Sequence, residues 1–180
     1  MNLGAHVLVG GVASAGLYPW LGAEGAAVFL GASVLIDVDH YWHWIEHNRF
    51  TDFGPSRMFD YHHRLSELMY RPGFLAICPF HTVEFFILVH LLATILDAPL
   101  LDIALCGFLF HLTFDLIHLA SHRVIFKRAL SIVEYWVRRR MLIASGQDPE
   151  AIVDLAVEQT AKTVPRRAVV EGPALTDPTI

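Results

Sequence analysis

"GFLFHLTFDLIHLASH", residues 107–122, decides how the whole chain is read. The stretch is apolar enough for a bilayer, yet it carries His111, Asp115, His118 and His122. At about 100° per residue these four side chains fall within one stripe roughly 60° wide. Burying imidazole and carboxylate is costly unless something binds them, and costlier still in lipid. His and Asp one turn apart on a helix can face one metal ion together. The stripe therefore predicts metal or proton chemistry inside an apolar helix.

Composition carries the same message outward. The 180 residues are 54% hydrophobic and 17% charged, with a mean hydropathy of +0.46. Soluble domains carry about 25% charged residues, so the balance points to a membrane protein. Residues 1–122 hold 4 Lys/Arg against 11 Asp/Glu, and all eleven histidines. Any chemistry belongs to that part. Basic residues are too few and too close to apolar segments for a nucleic-acid footprint. Cys78 and Cys106 lie in apolar runs with no CxxC, which argues against a cysteine zinc site and a redox pair.

Four apolar segments stand out: 2–23, 24–37, 74–96 and 100–121. The first lacks the positive flank of a cleaved signal and is read as a helix of the mature protein. The second is short for a span unless Asp37 and Asp39 sit at its end. The fold expected is all-α: an integral membrane bundle of about four transmembrane helices over residues 1–122. A cytoplasmic amphipathic helix follows within 123–146, with Lys127, Ser131, Glu134 and Arg138 on one face and Phe126, Leu130, Val133 and Val137 on another. Residues 147–180 read as a short helix, capped by Asp148 with Pro149 at its first position, and a disordered tail from 164. Arg49, Arg57, Arg64 and Arg71 lie between segments two and three, and a basic run follows segment four. By the positive-inside rule both termini face the cytoplasm.

That topology brings polar groups from four helices to one depth. His6 opens segment one. "IDVDHYWHWIEH" (36–47) puts Asp37, Asp39 and His40 at the end of segment two. "PFHTVEF" (79–85) places His81 and Glu84 in segment three, and "DYHHRLSE" (60–67) offers His62, His63 and Arg64 in the connection. Asp37 and Asp39 could both bind a metal, or one binds while the other orients a histidine from behind.

These motifs resemble the bacterial membrane-bound metal-dependent hydrolases of the YdjM type. That family shows an early His in its first apolar helix, then P-D-x-D-H-like, H-R-G-x-T-H-S and H-x-x-x-D elements. This chain has His6 in "LGAHVLVGG", then "IDVDH", then "HHR" and "FHT", then "GFLFHLTFD". Ile36 stands in place of the Pro, and the third element is split between His63-Arg64 and His81-Thr82. The resemblance implies a divalent metal and hydrolysis in the bacterial inner membrane, and no particular substrate.

On this reading the ligand pool is His6, Asp39, His40, His63, His81, His111, Asp115 and His118. Asp37 or Glu84 accepts the proton of a metal-activated water. Zinc is the first expectation for the metal, with manganese or iron as alternatives. Depth in the inner leaflet favours a lipid or lipid-phosphate substrate, and residues 124–180 suit docking on a membrane partner. Two readings compete. His43/His47, His62/His63 and His118/His122 look like the histidine boxes of a di-iron oxygenase. Alternatively the chain is a non-enzymatic subunit, a haem carrier or an assembly factor of a larger complex.

Overall fold

The computed structural model describes residues 3–162, and the expected tail from 164 lies outside them. The described chain is almost entirely helical. Its helices are α1 (Leu3–Leu35), α2 (Val38–His47), α3 (Pro55–Leu68), α4 (Val83–Ile95), α5 (Pro99–Ser121), α6 (Ile132–Ala144) and α7 (Pro149–Lys162). Two short strands, β1 (Ala76–Ile77) and β2 (Arg128–Ala129), pair in parallel with Ala76 opposite Arg128.

α1 is a hairpin of two helical arms. Gly22 breaks it, at φ 66° and ψ −176°, a backbone region that is essentially glycine's alone. Beyond the break the second arm runs back along the first. Ser14 Oγ donates to the Ala26 carbonyl at 2.7 Å, and a Cβ on Gly10 would meet Ser33 Oγ at 2.6 Å. The first two apolar segments of the sequence are these arms.

α5 packs against α1 through Gly107. A Cβ there would sit 2.6 Å from the Phe29 carbonyl oxygen and 2.9 Å from Ala32 Cβ. Small residues permit such close approach of apolar helices. His111, one turn beyond Gly107, is thereby held against the second arm of α1.

The third apolar segment differs from the expected helix over 74–96. Only Val83–Ile95 is α-helical, and it is preceded by β1 and a 3₁₀ turn at Pro79–His81. Pro79 cannot extend a helix inward, and Thr82 caps α4 by accepting from the Phe85 amide at 3.4 Å. The Phe80 amide is instead taken by Asp39 Oδ2 at 3.1 Å. Similarly, the amphipathic helix expected from residue 124 begins only at Ile132. The stretch before it forms a surface 3₁₀ turn at Ile125–Lys127 and then the buried strand β2.

Two helices, Gly4–His47 taken with its bends and Pro99–Ser121, are long and apolar enough to cross a membrane. In their most apolar windows only 33% and 22% of residues are buried inside the molecule. A core helix of a soluble protein would be mostly covered, so these helices turn their apolar surface outward.

A second core lies beside the bundle. α2, α3 and α7 enclose Trp44, Ile45, Tyr61, Leu65, Leu68, Phe74, Val153 and Ala156. α7 starts where the sequence places it: the Glu150 amide donates to Asp148 Oδ1 at 3.0 Å. Its apolar face is spent on α3, within this chain. α6 buries no residue and leaves Val133, Trp136, Val137 and Met141 exposed.

Candidate metal centre

Four chain segments meet where the α1 hairpin, the 79–81 turn and α5 converge. Asp37 follows the last turn of α1. His81 ends the 3₁₀ turn. His111 and Asp115 lie one turn apart on α5, and His6 faces them from the first arm of α1. His6, His81, His111 and Asp115 are buried, while the Asp37 side chain keeps 23% of its exposure.

Asp37, His81, His111 and Asp115 each offer one ligand atom, and these atoms lie within 4.8 Å of one another. His111 Nε2 is 3.2 Å from Asp37 Oδ1 and 3.7 Å from Asp115 Oδ2. His81 Nε2 is 3.5 Å and 3.9 Å from the same two oxygens. His6 Nε2 adds a contact at 3.2 Å to Asp115 Oδ1, with its ring stacked on His111 at 3.8 Å.

Those separations are long for charge-assisted hydrogen bonds and bracket the spacing of shared coordination. A charge-assisted hydrogen bond from imidazolium to carboxylate is about 2.7–2.9 Å long. Two atoms each about 2.1 Å from one tetrahedral ion lie about 3.4 Å apart. The observed distances match co-ligands. Moreover, Nε2 of His6, His81 and His111 and Oδ1 of Asp37 are all buried without a hydrogen-bond partner. Such orphans are rare and each calls for a cause.

The other nitrogen of two of these rings is fixed. His111 Nδ1 donates to the Ser33 carbonyl at 2.8 Å. His81 Nδ1 donates to Asp39 Oδ2 at 3.0 Å. Both acceptors demand a proton on Nδ1, so each ring in its neutral form turns its Nε2 lone pair into the cluster. This is how proteins orient metal-binding histidines.

Asp39 therefore stands behind His81. Its two oxygens accept from His81, the Phe80 amide and His40 Nδ1, the last at 2.7 Å. Asp39, His40 and Cys78 form a second group of metal-capable atoms among the described residues. Burial pushes the Cys78 thiol up to about 12, so it does not supply a ready thiolate.

Beyond Asp39 and His40, which form the neighbouring group, three expected residues lie away from the cluster. Glu84 accepts from Ser131 Oγ at 2.5 Å and from the Ile132 amide at 3.1 Å, tying α4 to the start of α6. The His63 side chain is 76% exposed and faces Glu67. His118 shares the stripe of His111 but is exposed, paired with His122. Of the other histidine-box residues, the rings of His43 and His47 lie 4.1 Å apart with His62 6.1 Å from His43, but this group lies apart from His63, His118 and His122 and each of its rings has a nitrogen engaged. His43 Nδ1 lies 3.0 Å from Tyr61 Oη, and His62 Nε2 donates to the His40 carbonyl at 2.8 Å.

Arg128 is the residue that sequence reasoning missed. Helical periodicity assigns it to a surface helix. The β1–β2 pairing instead carries it inward to 8% exposure, where Nη1 donates to Asp115 Oδ2 at 2.9 Å. Its Nε and Nη2 are buried without partners. No local signal marks a buried Arg in a basic, amphipathic stretch.

Comparison with protein-family models, curated proteins and solved structures finds no match to this chain.

Proposed function

We propose that this protein is a membrane-embedded hydrolase whose single divalent metal is held by Asp37, His81, His111 and Asp115, with His6 beside them. The observation that carries the reading is the set of buried, unpartnered Nε2 and Oδ1 atoms converging at co-ligand distances. Charge supports it. Three carboxylates, Asp37, Asp39 and Asp115, gather here, and among the described residues one buried cation, Arg128, pairs with Asp115. With neutral imidazoles the excess is two negative charges, and a divalent ion balances it.

The donor set is nitrogen and carboxylate oxygen, which suits zinc and also manganese or iron. Such an ion lowers the pKa of a bound water from 15.7 toward about 7 and polarises a phosphoryl or acyl oxygen. The chain's own groups do the rest. Asp39 holds the His81 ring in place. Asp37, the most exposed member, marks the side from which substrate enters and is positioned to accept a proton. Arg128 directs unpaired N–H donors beside Asp115, where they meet negative charge developing on a substrate oxygen.

The outward apolar surface of the spanning helices supports a bilayer setting, and the bare apolar face of α6 supports a position in the headgroup layer. The order of the motifs supports kinship with the YdjM-type hydrolases and a bacterial inner membrane location, and the basic residues flanking the apolar segments support cytoplasmic termini. The test is hydrolysis by detergent-purified protein, stripped with chelator and reloaded with zinc or manganese. Ester or phosphoester turnover that returns with metal, and falls at least 100-fold in Asp115→Asn, is the expected result. Equal turnover in stripped and reloaded protein overturns the reading.

A further inference from the structure

An apolar groove of about 380 Å³ runs between the second arm of α1, the 79–81 turn, α4 and α5. Its walls include Val28, Ala32, Ile36, Phe80, Ala104 and Phe108. Three of the segments that line it also supply the metal cluster. Ile36 precedes Asp37. Phe80 precedes His81. Ala104 and Phe108 share the face of α5 that continues into His111 and Asp115, with Phe108 about 4.5 Å below His111 along the axis. The groove thus runs along the apolar side of the cluster; its walls hold none of the cluster's own side chains, and Asp37, the most exposed of those, directly follows its wall residue Ile36.

Length fits one hydrocarbon chain. Val28 to Ile36 spans about 12 Å of helix, and one leaflet of a bilayer core is about 15 Å deep. At the cluster end Arg128 offers two buried, unpaired donors, Nε and Nη2. Paired donors in a guanidinium plane match a phosphoryl group.

We propose that the groove holds the hydrocarbon chain of a single-chain lipid phosphate and delivers its phosphoryl head to the metal cluster and Arg128. The head-group half of this assignment rests on the hydrolase reading; the chain half stands on the groove alone. Gly31 lies in the groove wall, and a Cβ there meets nothing within 4 Å. Gly31→Phe therefore starts its side chain without a clash at Cβ and places a ring in the groove, and Ala104→Phe fills it from the α5 side. Leu109→Phe, on the outward face of α5, is the control.

The experiment is photolabelling in detergent micelles with dodecyl phosphate carrying a terminal diazirine, followed by peptide mapping. Labels concentrated on the peptides of Phe80, Phe85 and Phe108, reduced at least tenfold by Gly31→Phe or Ala104→Phe and unchanged in Leu109→Phe, bear the proposal out. A tenfold preference for dodecyl phosphate over dodecanol as competitor, lost in Arg128→Gln, places the head. Labels spread over the outward faces of α4 and α5, indifferent to Gly31→Phe, mean that ordinary lipid fills the groove and overturn it. Groove labelling in a chain that binds no metal would sink the hydrolase reading and leave the chain site standing.

Discussion

Asp39 carries more weight than its distance from the cluster suggests. It receives the Nδ1 proton of His81 and the amide of Phe80, so it sets both a tautomer and the bend of the 79–81 turn. Asp39→Asn keeps the shape but weakens the acceptor. Metal affinity should drop about 10–100-fold with the fold retained, as read by competition against a chromophoric chelator. Unchanged affinity would mean that Asp39 serves the turn alone. His62 makes a different kind of prediction. Burial, with His40 nearby, pushes its pKa down to about 4 from 6.5. The folded protein holds it neutral, whereas the unfolded chain takes up a proton below 6.5. Stability is therefore complete above that pH and is lost as pH falls toward 4. Thermal melts across this window should show a shallower decline in His62→Gln than in the parent. At this scale the sequence was informative about His111 and Asp115, because polar groups striped along an apolar helix are too costly to bury unless they share a ligand; His6, alone on its helix, was reached only through the common depth of the polar groups. It was ambiguous between Asp37 and Asp39, since two positions in a bend cannot be told apart until its direction is known.

The glycines of the paired helices show how the elements position the site. A Cβ on Gly107 meets a backbone carbonyl at 2.6 Å, which no rotamer change relieves. Gly107→Ala gains about 1 kcal/mol of helix propensity but costs about 1–3 kcal/mol in overpacking. The expected net is destabilisation, together with weaker metal binding because His111 rides on the same helix. Gly11→Ala, where a Cβ meets nothing within 4 Å, should be neutral or stabilising by up to about 1 kcal/mol. Melting temperatures of the two variants in one detergent check both. Element identity was readable where hydrophobic length and capping agree, as in α5 and in α7 with its Asp148–Pro149 start. It failed at 74–82 and 124–131. There a two-residue parallel pairing between distant segments overrides local helical periodicity, and no local pattern announces such a partner.

For the whole molecule, a polar cluster is built inside a bundle whose outer surface is apolar, with the α2–α3–α7 core packed alongside. The histidines accordingly divide by environment. Those at the convergence of α1, the 79–81 turn and α5 are buried with bare nitrogens, and those on α3 and at the far end of α5 are covered by hydrogen bonds or exposed. The proposed function depends on one property above the rest, that the buried cluster binds a metal. The direct measurement is elemental mass spectrometry on detergent-purified, untagged protein, alongside His111→Ala, Asp37→Ala, His63→Ala and His118→Ala. The expected result is close to one divalent metal per chain, lost in the first two variants and kept in the last two. Metal-free protein, or metal that survives His111→Ala and Asp37→Ala, would contradict it.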